Sequence, residues 1–193
     1  MKISILTLFP EMFQGPFDQS IIKRAIERGI VNIEFINIRD FGIGKHKAVD
    51  DKPYGGGTGM ILRVDVLSNA IQKTLGQKLN TRNQKVILLT PAGKTFNQKI
   101  AKDLSHLKHL ILVCGHYEGL DNRIEKFVDQ KLSIGDFVLT GGEIPAMLIV
   151  DAVIRLIKGA LKEGVVNKES FSLPAGRQGP LLEYPQYTKP RRY

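Results

Sequence analysis

Apolar residues in this chain fall into short strand-like runs separated by segments of helical spacing, an alternation that predicts an α/β domain with a largely parallel sheet. The first run, Ile3 to Phe9, ends at Pro10. A helix carrying Ile21, Ile22, Ala25 and Ile26 follows, with Asp18 or Ser20 as its cap and Gly29 as its stop. Val31, Ile33 and Phe35 alternate with polar neighbours, as a half-exposed strand requires. Asp65 opens another helix that turns Leu67, Ala70, Ile71 and Leu75 inward and ends at Gly76. Two buried strands are expected at residues 85–89 and 109–114, with Phe96, Ile100 and Leu104 at helical spacing between them. Leu120, Ile124 and Phe127 suggest a further short helix, and a last strand region spans residues 132–139.

Residues 143–157 are apolar on nearly every side, so this helix must be covered all round, and a dimer interface is preferred over a single-chain core. After Ile157 the chain becomes rich in Gly, Pro and charge and loses periodicity, which reads as an irregular tail.

The size of 193 residues suits one well-buried domain with a short appendage. No run approaches the roughly 18–20 apolar residues that span a bilayer, and no leader pattern precedes the first strand. A single cysteine, Cys114, rules out an internal disulfide and makes the cytoplasm the default location. The net charge of +9 favours a polyanionic partner such as nucleic acid, although charge alone also serves solubility.

Long glycine-bearing loops carry the candidate chemistry. Residues 40–60 hold six glycines together with Lys45, His46, Lys47, Asp50, Asp51 and Lys52, and loops of this length are usually functional. Gly93-Lys94-Thr95 lacks the earlier glycine of a phosphate-binding loop, since Leu88 stands in its place. Asp40-Phe41-Gly42 has no other kinase motif beside it, and no Gly-x-Gly-x-x-Gly opens a helix after the first strand. What remains is three turns after the later strands: Thr90-Pro91-Ala92-Gly93, residues 114–119, and residues 133–143. In open α/β sheets ligands bind beyond the carboxyl ends of the strands, so these turns can converge on one pocket.

Four long motifs occur in order: Leu8-Phe9-Pro10-Glu11-Met12-Phe13; Val49-Asp50-Asp51-Lys52-Pro53-Tyr54-Gly55-Gly56-Gly57-Thr58-Gly59-Met60; Val113-Cys114-Gly115-His116-Tyr117-Glu118-Gly119; and Ser133-Ile134-Gly135-Asp136-Phe137-Val138-Leu139-Thr140-Gly141-Gly142-Glu143-Ile144-Pro145-Ala146. Through them the chain resembles the bacterial tRNA (guanine-N1)-methyltransferases from about Met1 to Pro190. The resemblance implies a mostly parallel α/β sheet flanked by helices, with the deep C-terminal trefoil knot of the SPOUT class, and a homodimer. It divides the chain into a knotted catalytic domain at residues 1–160 and a linker or lid with a truncated tail at residues 161–193, without the family's usual C-terminal helical tRNA-binding domain. The implied methyl donor is S-adenosylmethionine and the implied substrate is tRNA, with neither DNA nor a membrane as partner. Carried over by motif, the donor's contacts are Pro91, Gly115, Tyr117, Glu118, Ile134, Gly135, Asp136, Phe137, Val138, Leu139, Gly141 and Gly142. Asp50, Tyr54, Gly55, Gly57 and Ser170 become substrate-binding candidates, the loop around Asp50 reaching toward the partner subunit's site.

The N1 nitrogen of guanine is a poor nucleophile until its proton leaves, so a carboxylate general base is expected. Positive charge near O6 stabilises the anion that develops. In the family an aspartate before Ser-Phe takes the first role and an arginine on the apolar helix the second. The matching residues here are Glu169, before Ser170-Phe171, and Arg155. Glutamate keeps the acid and extends it by one methylene, a displacement of about 1 Å that bears on rate rather than on reaction type. The family's association with magnesium makes Glu118, Asp50 and Glu169 the acidic candidates, with no ligand spacing that singles out a site. A further departure is the Pro/Gly-rich stretch at residues 173–180, and RNA affinity is expected from the loop lysines and the basic tail of Lys189, Arg191 and Arg192.

Overall fold

In the computed structural model, described for residues 1–76, 83–171, 182–190 and 192, five parallel strands form the central sheet. They are β1 (Lys2–Thr7), β2 (Asn32–Asn37), β5 (Gln84–Thr95), β6 (His109–Cys114) and β7 (Gln130–Ser133), in the spatial order β2-β1-β6-β5-β7. Two-residue strands β3 (Asp50–Asp51) and β4 (Ile61–Leu62) pair antiparallel and tether the glycine-rich loop.

Both faces of the sheet are covered, which is why its inner strands read as continuous apolar runs. Ile3, Ile5, Ile87, Leu89, Leu110 and Leu112 point to one face, against α1 (Ser20–Glu27), α3 (Gln98–Ser105) and α4 (Glu143–Ile154). Leu6, Val86, Leu88, Ile111 and Val113 point to the other, against α2 (Val64–Leu75) and a 3₁₀ turn at Asn122–Phe127. The alternation follows the two-residue repeat of the strands.

Several boundaries differ from expectation, each for a local reason. The last strand stops at Ser133 rather than Leu139, because the Ser133 hydroxyl accepts from the Gly135 amide and donates to the Gly135 carbonyl, turning the chain. The strand expected at residues 85–89 runs on to Thr95 through a bulge between Leu89 and Lys94. Gly93 permits this, since a Cβ there would lie 2.5 Å from the Leu132 backbone. The helix expected around Ile124 is the 3₁₀ turn. Neither Asp18 nor Ser20 caps α1: Gln19 holds that position without a side-chain bond, and Asp18 accepts instead from the Gly15 amide.

The long apolar helix is shorter than its pattern, ending at Ile154, and the chain buries only one of its faces. Ala146, Ile149, Val150, Val153 and Ile154 are in the core, whereas Ile144 and Leu148 remain 48% and 44% exposed. Met1–Ala160 forms one compact unit and Leu161–Tyr193 a second. Within the second, a 3₁₀ turn at Val166–Lys168 precedes Ser170, whose hydroxyl accepts from the Glu183 amide at 3.0 Å. The Pro/Gly-rich stretch at residues 173–180 and Arg191 lie outside the described residues. No helix among the described residues is long and apolar enough to cross a membrane.

At the amino-terminal edge of the sheet, buried Ser4 meets His109 Nε2 at 2.8 Å, while Lys2 pairs with Glu34 at 2.8 Å. Burial, then the Lys2 charge, lowers the His109 pKa, against the opposing pull of Glu34. The folded state therefore binds fewer protons than the unfolded one, and stability present above the ordinary histidine value is lost as pH falls through the lowered one. Thermal unfolding followed from about pH 7 to pH 5 should show this decline. It should be smaller in His109→Gln, and an unchanged slope would contradict it.

Candidate functional site

The β5 bulge and the carboxyl ends of β6 and β7 open into a cleft of about 240 Å³, a little below the usual size of small-molecule sites. Three turns build it. Leu89, Thr90 and Pro91 come from the β5 bulge, residues 115–120 from the turn after β6, and residues 132–134 and 137–142 from the end of β7 and its descent into α4. Ile134, Phe137, Val138 and Leu139 supply apolar walls, and backbone groups near Gly115, Gly141 and Gly142 supply polar edges.

Close packing of backbone holds these turns together. The Gly142 amide donates to the Gly115 carbonyl at 2.8 Å, and a Cβ on Gly142 would lie 2.6 Å from Cys114 Cα. Tyr117 adopts a left-handed φ of 59°, unusual for a non-glycine residue, which turns the chain sharply at the cleft wall. The adjoining Glu118 amide donates to the Met60 carbonyl, and the Leu62 amide donates to the Gly119 carbonyl. The glycine-rich loop is thereby stitched to the cleft turn.

Of the residues carried over as donor contacts, Pro91, Gly115, Tyr117, Glu118, Ile134, Phe137, Val138, Leu139, Gly141 and Gly142 line this cleft. Gly135 and Asp136 do not line it. Gly135 shapes the wall instead, its φ of 152° and missing Cβ leaving room for the Phe137 ring, while Asp136 is exposed.

Asp50 is half-buried in β3, and Tyr54 stands 99% exposed at the loop tip beside Gly55 and Gly57, both with positive φ. None of these four lines the cleft. Arg155 is half-buried at the end of α4 and also outside the lining, while Glu169 and Ser170 belong to the second unit.

Sequence reasoning did not single out Glu143. It is 2% exposed, and its Oε1 accepts from the Thr7 hydroxyl at 2.7 Å. The signal was present, as an acid opening an otherwise apolar helix directly after two glycines. Burial, and then the nearby Glu143 charge, raise the pKa of Cys114, so its thiol stays protonated.

Among the described residues that line the cleft there is no lysine or arginine. Lys94 lies within β5 rather than at a helix start, and the phosphate-loop likeness of Gly93-Lys94-Thr95 has no structural counterpart. Apolar walls, backbone polar edges and the carboxylate of Glu118 suit a small molecule with both apolar and polar or cationic parts. Among the described residues, no cluster of three His, Cys, Asp or Glu side chains could hold a metal ion.

A doubly covered parallel α/β sheet with a cleft beyond its strand ends is the architecture of a small-molecule-binding α/β protein. Comparison with known proteins makes this specific. The profile of the family described as tRNA (Guanine-1)-methyltransferase TrmD matches residues 1–193. The tRNA (guanine-N(1)-)-methyltransferase of Desulforudis audaxviator is 54% identical over 194 residues, covering 100% of this chain and 75% of that protein. The proteins of that name from Carboxydothermus hydrogenoformans and Clostridium beijerinckii are 51% and 53% identical, again over 100% of this chain and over 73% and 77% of theirs. The chain belongs to the tRNA (guanine-1)-methyltransferase family, and is thus a methyltransferase.

Gly142 has an ordinary φ of −82°, so its requirement for glycine is one of space alone. Gly142→Ala should destabilise the fold by about 1–3 kcal/mol, the usual cost of overpacking. It should also weaken ligand binding in the cleft. Denaturant titration and calorimetry check both, and a variant as stable as the parent would remove the steric argument.

Proposed function

We propose that the chain transfers a methyl group from S-adenosylmethionine to the N1 nitrogen of the guanosine 3′-adjacent to the anticodon, tRNA position 37. The observation that carries this reading is the cleft: ten of the twelve residues matched by motif to the donor's contacts line one small cavity, in a chain of this family. The donor supplies an electrophilic methyl on a sulfonium, with a thioether as leaving group.

Glu169 takes the N1 proton onto its carboxylate as the nitrogen lone pair becomes available. Arg155 faces the negative charge that the departing proton leaves on O6. Glu118 and the backbone edges of the turns at residues 115–119 and 139–142 orient the donor, while the apolar wall excludes water. Asp50, Tyr54, Gly55, Gly57 and Ser170 are assigned to the RNA side. The exposed loop glycines allow close backbone approach to a ribose-phosphate chain, and the +9 charge favours the polyanion.

A homodimer accounts for the exposed apolar face of α4, Ile144 and Leu148, and for Val138, which is 83% exposed. A trefoil knot accounts for the tight passage of Gly141 and Gly142 over the turn at Gly115. The cytoplasm, where tRNA is modified, is the matching location. No residue is assigned to magnesium; Glu118, Asp50 and Glu169 are the acidic candidates.

Incubation with labelled S-adenosylmethionine and a tRNA transcript bearing guanosine 3′ to the anticodon tests the reading. Methylation at that guanosine is expected, falling roughly 10²–10⁴-fold in Glu169→Gln, as loss of a general base should. Retained methylation in the variant would remove Glu169 from the role. Tight donor binding without any transfer would leave a cofactor- and RNA-binding dimer in place of an enzyme acting on this nucleoside.

A further inference from the structure

The glycine-rich loop between β3 and β4 is held differently at its two ends. Backbone stitches its exit to the cleft turn: the Glu118 amide donates to the Met60 carbonyl, while Leu62 donates to the Gly119 carbonyl and accepts from the Asp121 amide. A side chain holds its entry. Arg63, at the start of α2, donates from Nη1 to Asp51 Oδ2 at 2.8 Å. The same guanidinium donates from Nε and Nη2 to the two oxygens of Asp65, at 3.1 and 2.9 Å. The remaining oxygen of Asp51 accepts from the Lys52 amide at 2.8 Å, which fixes the first peptide of the loop.

The ladder that this clasp reinforces is short. β3 and β4 pair through two residues each, Asp50 with Leu62 and Asp51 with Ile61, and two-stranded pairing of that length is marginal at best. Beyond it Gly55, Gly56, Gly57 and Gly59 all have positive φ, so a loop released at its entry has many alternative paths. A lone exposed ion pair adds little, but a bidentate fork that joins two carboxylates is the geometry in which such contacts count. The fork also stands on a fixed base, since the Arg63 side chain is 31% exposed and its backbone amide donates to the Val49 carbonyl at 2.9 Å.

Direction is set along with closure. Successive side chains of a strand point to opposite faces. With Asp51 drawn to Arg63, its neighbour Asp50 is turned to the other side, where it is half-buried. Asp50, Tyr54, Gly55 and Gly57, the loop residues assigned to RNA, all precede the stitched exit at Met60.

We propose that Arg63 is a positioning residue for the RNA-side loop, closing its entry on Asp51 so that Asp50 and the loop tip are in place before RNA arrives. The inference rests on the reading of this loop as the RNA side of a tRNA methyltransferase. Without the clasp the competent arrangement is a smaller fraction of the free protein, and the apparent affinity for RNA falls by that fraction. Bound RNA orders the loop again, so the chemical step keeps its rate. The cleft has its own backbone contacts, so donor affinity is kept as well.

Steady-state methylation of a tRNA transcript, with calorimetry for S-adenosylmethionine, tests this on the full chain. Arg63→Gln should raise KM for tRNA about two- to fivefold, the scale of an exposed ion-pair network, with kcat and donor affinity at parent values. Asp51→Asn should do the same, and the double variant should be no worse than either single one, because both remove one contact. Arg63→Lys should recover only part of the loss, since an ammonium cannot hold both carboxylates as the planar fork does. Hydrogen exchange on the free protein should be faster across the loop in Arg63→Gln, by a similar factor.

Additive losses in the double variant, or a parent KM in Asp51→Asn, would mean that Arg63 meets a phosphate directly and would overturn the proposal. Donor affinity that falls in step with the rise in KM would overturn it as well, as a general loosening of the fold. So would unchanged exchange in the loop. Each of these leaves the methyltransferase reading standing, whereas a parent protein that methylates no tRNA overturns that reading and this inference with it.

Discussion

Everything at the functional end of this protein depends on backbone passing against backbone at Gly142. A 2.8 Å hydrogen bond joins it to Gly115, and a single methyl group would not fit between it and Cys114. This contact brings the descent into α4 across the end of β6, so that the β5 bulge and the turns after β6 and β7 share one cavity. A side chain at this point would have to push the turns apart, since its Cβ would lie 2.6 Å from Cys114 Cα, well inside van der Waals contact. Gly93 does the same for the β5 bulge against Leu132. Two close approaches, both between segments distant in sequence, therefore define the site more than any polar side chain does.

The inner strands were readable because a parallel sheet covered on both faces leaves a continuous apolar signature, as at residues 85–89 and 109–114. Helix α2 was readable from the spacing of Leu67, Ala70 and Ile71 and from Gly76 at its end. What escaped depended on contacts between remote residues. The run of β5 to Thr95 needs the Leu132 backbone beside Gly93, and nothing in residues 90–95 announces it. The early end of β7 is set by one hydroxyl, Ser133, where the apolar pattern continues to Leu139.

For the site, ten of the residues matched by motif line one cleft, while Gly135 and Asp136 lie in the turn that follows β7. The burial of Glu143 was not legible in the sequence. Its partner Thr7 is at the far end of the chain, and no local pattern reveals that an acid opening an apolar helix is buried.

The sheet order also governs how the chain can be made. β1 is paired on one edge with β2, its near neighbour in sequence, but on the other with β6, where Lys2 meets His109. During synthesis the first strand therefore waits with an open, apolar edge while some seventy residues are added, an interval on the order of seconds. The crossing at Gly142 forms later still. Non-local parallel pairing of this kind folds slowly and leaves strand edges exposed to other chains. Until residue 114 has emerged, that edge of β1 lacks its native partner and is open to pairing with other chains.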